Sequence, residues 1–362
     1  MVESNLNLQF LSSIIKTPET VIDHFDLIYT NTHQLAIKRC KVKKGFKYVV
    51  NNKPLQNKND LKRIQELSIP PAWENVKIST VANGHLQAVG FDAKKRKQYK
   101  YHSLWHAIRN QTKFYKMVAF GKRLPIIRQQ VDIDLEQKGW PKSKVLALII
   151  RLMEETHIRI GNDQYAKRNK TYGLTTMRNR HVRLFKNTLK FEFTGKKGKK
   201  HSVTLRNKKL VHLVNKCEEI PGWELFQYYD EYGEKHNVES AMVNDYIHNT
   251  CGEIFTAKDF RTWAATVIFF EYLRDVGIAK TQNERDKNIL RGYDTEAKEL
   301  GNTRNVCRKY YVHPAVMHAY KTGVIKTTFD IADSLYKNGS FYSVSENAML
   351  KLLEEYTPNF LK

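Results

Sequence analysis

The spacing of apolar residues changes its period along this chain, and that change limits the folds open to it. Residues 35–105 hold short segments of β-branched or alternating residues between turn residues, such as LAIKRCKV, GFKYVVNN and RKQYKYH. These segments predict short strands. After His102 the period becomes helical, with an apolar stripe at i, i+3, i+4 and i+7 formed by Val145, Leu148, Ile149 and Leu152. The pattern predicts an α+β protein.

The same change divides the chain into regions. Residues 1–34 are expected to form a partly helical N-terminal extension, residues 35–105 a small β-rich domain, and residues 106–362 a larger, mainly helical domain. The length of the chain is compatible with two or three domains. From Ala241 onward the chain is predicted to be helical. We expect part of residues 287–305, KNILRGYDTEAKELGNTRN, to form a mobile connection.

Local signals refine the prediction. Asn59 or Asp60 is a candidate N-cap for a short helix that ends before Pro70. Asp259 is a candidate N-cap for a later helix and would place Arg261 in its first turn. The alternating segments LKFEF and SVTL flank GKKGKK, which predicts a hairpin with a Lys-rich tip.

The chain is strongly basic. It has 61 Lys and Arg against 37 Asp and Glu, a formal net charge of +24. Hydrophobic residues make up 41%, enough for packed cores, so a disordered basic tail is excluded. A globular protein this basic favours an anionic partner, and nucleic acid is the leading candidate because Lys and Arg displace counterions from phosphates. On charge alone, RNA, ribosomes and anionic membranes stay open.

Cysteine usage and the N-terminal sequence indicate the compartment. No two of the four cysteines form a Cys-x-x-Cys pair, so we expect free thiols in a reducing cytoplasm for Cys40, Cys217, Cys251 and Cys307. No signal peptide or membrane span is expected. The predicted localisation is cytoplasmic, with nucleoid association if the source is bacterial.

Cleavage of a DNA strand by phosphoryl transfer needs a side-chain oxygen that attacks the phosphorus, cations for the charged oxygens, and a proton for the leaving sugar oxygen. Tyrosine suits attack, arginine suits the phosphate oxygens, and lysine can donate the proton. The chain has 19 tyrosines and 61 basic residues, so residue types alone select no catalytic set.

Five segments carry a resemblance to a known family. They are KKRKQYKYH (94–102), ETHIRIGNDQYAKRNKTYGLTTMRNRHV (155–182), FTGKKGKKHSV (193–203), KDFRTWAATVIFF (258–270) and LGNTRNVCRKYYVHP (300–314). In order and spacing they resemble the poxvirus-like and bacterial type IB DNA topoisomerases, over about residues 35 to 320. The resemblance implies relaxation of supercoiled DNA without ATP, cofactor or metal.

The resemblance also implies roles for single residues. Tyr311 would be the nucleophile and form a 3′-phosphotyrosyl link. Arg159 and Arg261 would hold the phosphate and its transition state, and Lys196 would be the general acid for the 5′-oxygen. Asn302 would donate a hydrogen bond to a non-bridging oxygen. Poxvirus members have His at that position, and the Asn is similar to the bacterial form.

Further matches concern DNA contact. Gln98, Tyr99 and Tyr101 resemble DNA-contacting positions of the N-terminal domain, and alternation puts Tyr99 and Tyr101 on one face of a strand. Tyr165 and Lys258 resemble contact positions of the larger domain. The family fold is a C-shaped clamp that closes around double-stranded DNA, and we expect this chain to act as a monomer.

Several alternatives stay open. Tyr310 competes with Tyr311 as the nucleophile, and the lysines beside Lys196 compete with it as the acid. Tyrosine recombinases share the Arg, Lys, Arg and Tyr chemistry, but typically carry His where this chain has Lys258. A non-enzymatic DNA-binding protein would also explain the charge. His157, His181 and His201 are not expected to form a metal site, and we expect them to be surface or hydrogen-bonding histidines.

Overall fold

The computed structural model of the protein describes residues 8–334 and 341–356. These residues form two compact units, one ending at Tyr115 and the other beginning at Lys116. The division falls within the long helix α3 (Ser103–Leu135). Antiparallel sheets and helices occur together, so the predicted mixture of the two is confirmed. Within the two described ranges, every helix is too short or too polar to span a lipid bilayer.

The first unit is built on a six-stranded antiparallel sheet with the strand order β3-β2-β1-β4-β5-β6. Its strands are β1 (Ile37–Lys41), β2 (Phe46–Val50), β3 (Lys53–Pro54), β4 (Glu74–Ile78), β5 (Leu86–Phe91) and β6 (Lys97–Tyr101). Helix α2 (Lys58–Glu66) contributes Ile64 to a core that also contains Ile37, Val76, Ile78 and Ala88. Period-two alternation places these strand residues on the buried side.

The cap of α2 differs from the prediction. Neither Asn59 nor Asp60 is the N-cap, because the side chain of Asn57 accepts hydrogen bonds from the backbone N–H groups of both, at 2.9 and 3.2 Å. The helix therefore starts earlier than predicted, at a residue that satisfies two of its free N–H groups.

Residues before the sheet belong to the core of the first unit. Helix α1 (Leu8–Lys16) and the short turns after it bury Ile14, Ile22 and Leu27 against Trp105 and Ile108 of α3. Arg109 of α3 also donates a 2.8 Å hydrogen bond to the carbonyl of Ile14. The described part of the N-terminal extension is thus packed and hydrogen-bonded.

The second unit is mainly helical. Its helices are α4 (Lys142–Thr156), α5 (Asp163–Asn169), α6 (Lys208–Glu218), α7 (Ser240–Cys251), α8 (Ala257–Val276), α9 (Gln282–Leu300), α10 (Arg304–Tyr310), α11 (Pro314–Thr322), α12 (Lys326–Ser334) and α13 (Val344–Glu354). Two small antiparallel sheets are formed by β7 (Val182–Phe185), β8 (Thr188–Thr194) and β9 (Lys200–Leu205), and by β10 (Gln227–Tyr229) and β11 (Lys235–Asn237). Helix α4 is buried on most of its faces.

The expected mobile connection at residues 287–305 is wrong. Most of it belongs to α9, which has Thr281 as its N-cap and Gly301, in the left-handed conformation, as its C-cap. Gly292 lets α9 approach α8, since a Cβ there would lie 2.9 Å from the Phe269 ring. Close packing outweighs the poor helix propensity of glycine.

The start of α8 also differs from the prediction. Thr256 is the N-cap, and Asp259 lies at the third helical position, where its carboxylate accepts a 2.8 Å bond from the Thr256 N–H. Lys116 forms a 2.7 Å ion pair with the same carboxylate. Asp259 reaches back to the cap and is not the cap itself, so Arg261 lies in the second turn.

A buried charge network joins four helices of the second unit. Arg128 of α3 forms 2.8 Å contacts with Glu154 of α4 and with Glu346 of α13. The indole N–H of Trp263 in α8 donates a 2.8 Å hydrogen bond to Glu346. Burial raises the pKa of Glu346, but the hydrogen bonds and the charge of Arg128 lower it by more. The net shift of this pKa is therefore downward.

Removal of Arg128 should destabilise the second unit. Arg128→Ala leaves Glu154 and Glu346 buried without their cation, and we expect the free energy of unfolding to fall by about 3–5 kcal/mol. Urea denaturation monitored by tryptophan fluorescence measures this free energy of unfolding. Lys122→Ala is the matched control, because its pair with Glu354 is exposed and should contribute less than about 1 kcal/mol. Equal losses in both variants would contradict the assignment.

Candidate active site

The site starts where α4 ends. His157 closes the helix in the left-handed conformation, with φ of 54°, and its carbonyl oxygen accepts a 2.6 Å hydrogen bond from Nη1 of Arg261. Burial, together with the smaller effect of the positive charge of Arg261, lowers the pKa of His157 to about 4. At neutral pH this imidazole is uncharged and adds nothing to the positive charge nearby.

Two arginines from distant parts of the sequence meet at one amide. Nη2 of Arg159 donates a 2.9 Å hydrogen bond to Oδ1 of Asn302, and Nη2 of Arg261 lies 3.5 Å from the same oxygen. Arg261 also donates to the carbonyl of Leu300. Guanidinium groups carry only donors, so the oxygen end of the amide must face them.

The two cations have no carboxylate between them. Across the described ranges, neither Arg159 nor Arg261 forms an ion pair within 4.0 Å. Burial lowers the pKa of Arg261 to about 10, the charge of Arg159 contributes to the lowering, and Tyr311 opposes it. Two guanidinium forks held together in this way favour an anion with several acceptor oxygens, such as a phosphate.

The tyrosine pair lies at the end of α10. Tyr311 follows the helix as its C-cap residue, and its N–H bonds to the carbonyl of Cys307 at 3.0 Å. The guanidinium carbon of Arg261 lies 5.7 Å from the centre of the Tyr311 ring, and Tyr311 opposes the lowering of the pKa of Arg261. Tyr310 instead lies against Lys309, with 5.5 Å from the ammonium to the ring centre. The structure therefore brings Tyr311 to the arginines.

Lys196 lies on the tip of the predicted hairpin. The turn between β8 and β9 begins at Gly195, and Lys196 is its first residue. Its exposed side chain lines a small pocket that is also lined by Arg159 and Leu300. The hairpin prediction is confirmed, and the turn brings an ammonium group to the pocket that contains Arg159.

Comparison with known proteins identifies the family. Residues 95–335 match the catalytic core of eukaryotic DNA topoisomerase I, and residues 45–92 match the N-terminal domain of bacterial DNA topoisomerase IB. DNA topoisomerase 1B of Acanthamoeba polyphaga mimivirus is 31% identical over 283 residues, covering 76% of this chain and 84% of the relative. The chain belongs to the type IB DNA topoisomerases.

More distant viral relatives agree with this assignment. DNA topoisomerase 1B of vaccinia virus (strain Copenhagen) is 22% identical over 249 residues, covering 67% of this chain and 76% of the relative. DNA topoisomerase 1 of rabbit fibroma virus (strain Kasza) is 23% identical over 254 residues, with the same two coverages. All these relatives are topoisomerases, so the tyrosine recombinase alternative is not favoured.

The sequence analysis expected His201 to be a surface or hydrogen-bonding histidine, but the structure places it between two parts of the candidate site. The ring of His201 stacks on Phe193, with centroids 5.1 Å apart and an interplanar angle of 10°. A Cβ on Gly195 would lie 2.6 Å from His201 Cδ2, and one on Gly301 would lie 2.7 Å from Cε1. The ring therefore fits between the Lys196 turn and the turn that carries Asn302. A histidine directly after a Gly-rich tip was the available signal.

A second missed residue is a buried acid. Glu296 lies on the covered face of α9 with no exposed surface, next to Arg261, Asn302 and Cys307. It escaped notice because its segment was expected to be mobile. The available signal was its spacing: it falls seven residues after Ile289, on the apolar side of a helical repeat.

The candidate DNA-contact residues lie on both units. In the first unit, Tyr99 and Tyr101 share one face of β6 as alternation predicts, with ring centres 6.1 Å apart, and each is 44% exposed. Gln98 donates a 3.1 Å hydrogen bond to Asp92. In the second unit, two exposed side chains lie near the starts of α5 and α8: Tyr165 and Lys258.

A methyl group on Gly195 should disturb the Lys196 turn. Gly195→Ala places a Cβ only 2.6 Å from Cδ2 of His201, so the ring and the hairpin must move apart. We expect strand cleavage to slow by at least about tenfold, because Lys196 is then displaced. Single-turnover cleavage of a DNA duplex measures this.

Gly198→Asn in the same turn is the matched control. Gly198 has no atom within 4 Å of an added Cβ, and Asn tolerates its left-handed φ of 76°. Partial rescue of Gly195→Ala by His201→Ala would locate the effect in the ring contact. An equal loss in Gly195→Ala and Gly198→Asn would instead point to general strain in the turn.

Proposed function

We propose that this topoisomerase relaxes supercoiled double-stranded DNA by cutting one strand at a phosphate held by Arg159, Arg261 and Asn302. The observation that carries the proposal is the convergence of two arginines beside Tyr311, with no ion pair to any carboxylate of the residues that the structure describes. Among these described residues the arginines donate only to neutral oxygens, and a phosphodiester supplies the anionic oxygens that pair best with guanidinium groups.

In the proposed reaction, the Tyr311 oxygen attacks phosphorus while the bond to the 5′-oxygen breaks. Lys196 protonates that oxygen, and a 3′-phosphotyrosyl link remains. The free end rotates and torsion is lost. The 5′-hydroxyl then attacks the link and reseals the strand. Because the link conserves the energy of the phosphodiester, the cycle needs no ATP.

The fixed positions of the arginines explain how they stabilise the transition state. The His157 and Leu300 carbonyls hold Arg261 before any substrate is present. Donors that are already in place lose little free energy to reorganisation when charge develops on the phosphate oxygens. The neutral His157 adds no further positive charge beside the two arginines.

DNA binding by both units is part of the same proposal. Gln98, Tyr99 and Tyr101 of the first unit and Tyr165 and Lys258 of the second would contact the same duplex. Exposed aromatic and basic side chains can stack on sugars or bases and neutralise phosphates. The proposed clamp around DNA and the monomeric state follow from the family resemblance.

Replacing Tyr311 tests the nucleophile. Tyr311→Phe removes only the attacking oxygen, so the variant should bind DNA but relax no supercoiled plasmid in the presence of EDTA and without ATP. Tyr310→Phe is the matched control and should remain active. If Tyr310→Phe is the inactive variant, the nucleophile has been assigned to the wrong member of the pair.

A recombinase and a simple DNA-binding protein make different predictions. A recombinase gives strand exchange between paired sites without simple relaxation. A non-enzymatic binder gives salt-sensitive binding and no covalent species after denaturation. A trapped protein–DNA adduct that Tyr311→Phe lacks excludes the binder.

Removing an arginine should slow cleavage much more than it weakens binding. Arg159→Ala should reduce the single-turnover cleavage rate by about 10²- to 10³-fold, by analogy with other lost transition-state donors. Arg151→Ala is the control, because Arg151 already pairs with Asp132 at 2.5 Å. A cleavage rate near that of the wild type for Arg159→Ala would overturn its assigned role.

A further inference from the structure

Glu296 is a buried carboxylate directly behind the proposed phosphate site. It lies on α9, less than two turns before Asn302, and none of its surface is exposed. Neither of its oxygens makes a hydrogen bond of ordinary length and angle, and the amide nitrogen of Asn302 is buried in the same condition. Two buried polar groups without good partners thus face each other.

Glu296 is not the counterion of Arg261. Arg261 directs its donors to the carbonyls of His157 and Leu300, and Glu296 forms no ion pair in the described part of the chain. A structural acid would be expected to pair with the nearest cation. Because Glu296 has no ion pair with Arg261, its carboxyl group is not held in the ionised form.

The groups around Glu296 come from every neighbouring element. Burial raises its pKa to about 7, against the lowering by Cys307, Arg261 and Asn302. Helix α8 contributes Arg261, α10 contributes Cys307, and α9 itself contributes Tyr293. From α11, the hydroxyl of Tyr320 accepts a bond from Asn288, two turns earlier on α9.

In the structure, the Asn302 amide is not oriented to donate a hydrogen bond to a phosphate. Its oxygen faces Arg159 and Arg261, so its nitrogen points to the side of Glu296. An ionised Glu296 accepts from that nitrogen and stabilises this orientation. Phosphate oxygens are also acceptors, and they would repel the amide oxygen once the arginines turn to them.

Donation to the phosphate requires the amide to rotate by about half a turn. Rotation carries the amide oxygen toward Glu296. An ionised carboxylate repels that oxygen, whereas a protonated carboxyl donates a hydrogen bond to it. The favourable partner for the rotated amide is therefore the neutral acid.

We propose that Glu296 is a positioning residue whose protonation state decides which end of the Asn302 amide faces the DNA phosphate. The ionised acid holds the amide nitrogen away from the site. The protonated acid binds the amide oxygen and releases the nitrogen to the phosphate. One proton is taken from solvent when the phosphate is engaged, and it returns when the phosphate leaves. The inference rests on the proposed role of Asn302.

The pH profile of cleavage tests this inference. For the wild type, the single-turnover cleavage rate should fall by up to about tenfold per pH unit above about pH 7, as Glu296 ionises. Glu296→Gln can donate to the amide oxygen at any pH, so its profile should lack that decline whatever its absolute rate. Asp286→Asn removes a solvent-accessible charge near the start of the same helix, where Asp286 pairs with Lys321, and should keep the decline.

A second measurement needs no substitution at Glu296. Binding of duplex DNA by Tyr311→Phe is followed by calorimetry at about pH 8 in buffers of different ionisation enthalpy. On binding DNA, the Tyr311→Phe variant should take up close to one more proton per complex than the double variant Tyr311→Phe, Asn302→Ala. Equal proton uptake in the two proteins, or the same decline for wild type and Glu296→Gln, overturns the inference.

The outcomes separate this inference from the proposed function. Cleavage by Tyr311→Phe would show that Tyr311 is not the nucleophile. Normal cleavage by Asn302→Ala would show that the amide has no role in cleavage. If both of those variants are impaired and Glu296→Gln keeps the wild-type decline, only the role of Glu296 is lost.

Discussion

The structure of the site depends on holding two positive charges close together in a partly buried place. Arg159 and Arg261 repel each other, and burial makes the repulsion stronger than in water. Neutral acceptors hold them: two backbone carbonyls for Arg261 and one amide oxygen for both. A carboxylate in the same place would bind the arginines more tightly but would occupy the position that a phosphate needs.

The surrounding elements follow from this constraint. Helix α4 must end in a left-handed turn to present the His157 carbonyl, and α9 must end at Gly301 so that Asn302 can turn inward. Burial keeps His157 and His201 less basic than usual, so they add little further positive charge. The close packing of His201 against two glycines joins the Lys196 turn to the same frame.

The sequence predicted those parts that depend on local pattern, namely the strands of the first sheet, the GKKGKK hairpin and helix α4. It failed where a partner distant in sequence decides. Part of residues 287–305 was expected to be a mobile connection, but packing of α9 on α8, with Gly292 against Phe269, makes most of that segment helical. The caps were misplaced because the side chain of Asn57 accepts from two N–H groups of α2, and because Asp259 reaches back to the N–H of Thr256 from the third position of α8. The site itself came from resemblance, since no spacing rule joins Arg159 to Tyr311.

Two buried glutamates show why Glu296 is better explained by function than by stability. Glu346 pairs with Arg128, its pKa is lowered, and it adds stability that is lost only as the pH falls. The pKa of Glu296 is raised from 4.5 to about 7, so the folded state holds a proton that the unfolded chain releases. Stability therefore declines between about pH 4.5 and 7, by roughly 3 kcal/mol at 1.4 kcal/mol per pKa unit. An apolar residue would avoid that loss, and a role in orienting Asn302 gives a physical reason to keep the acid.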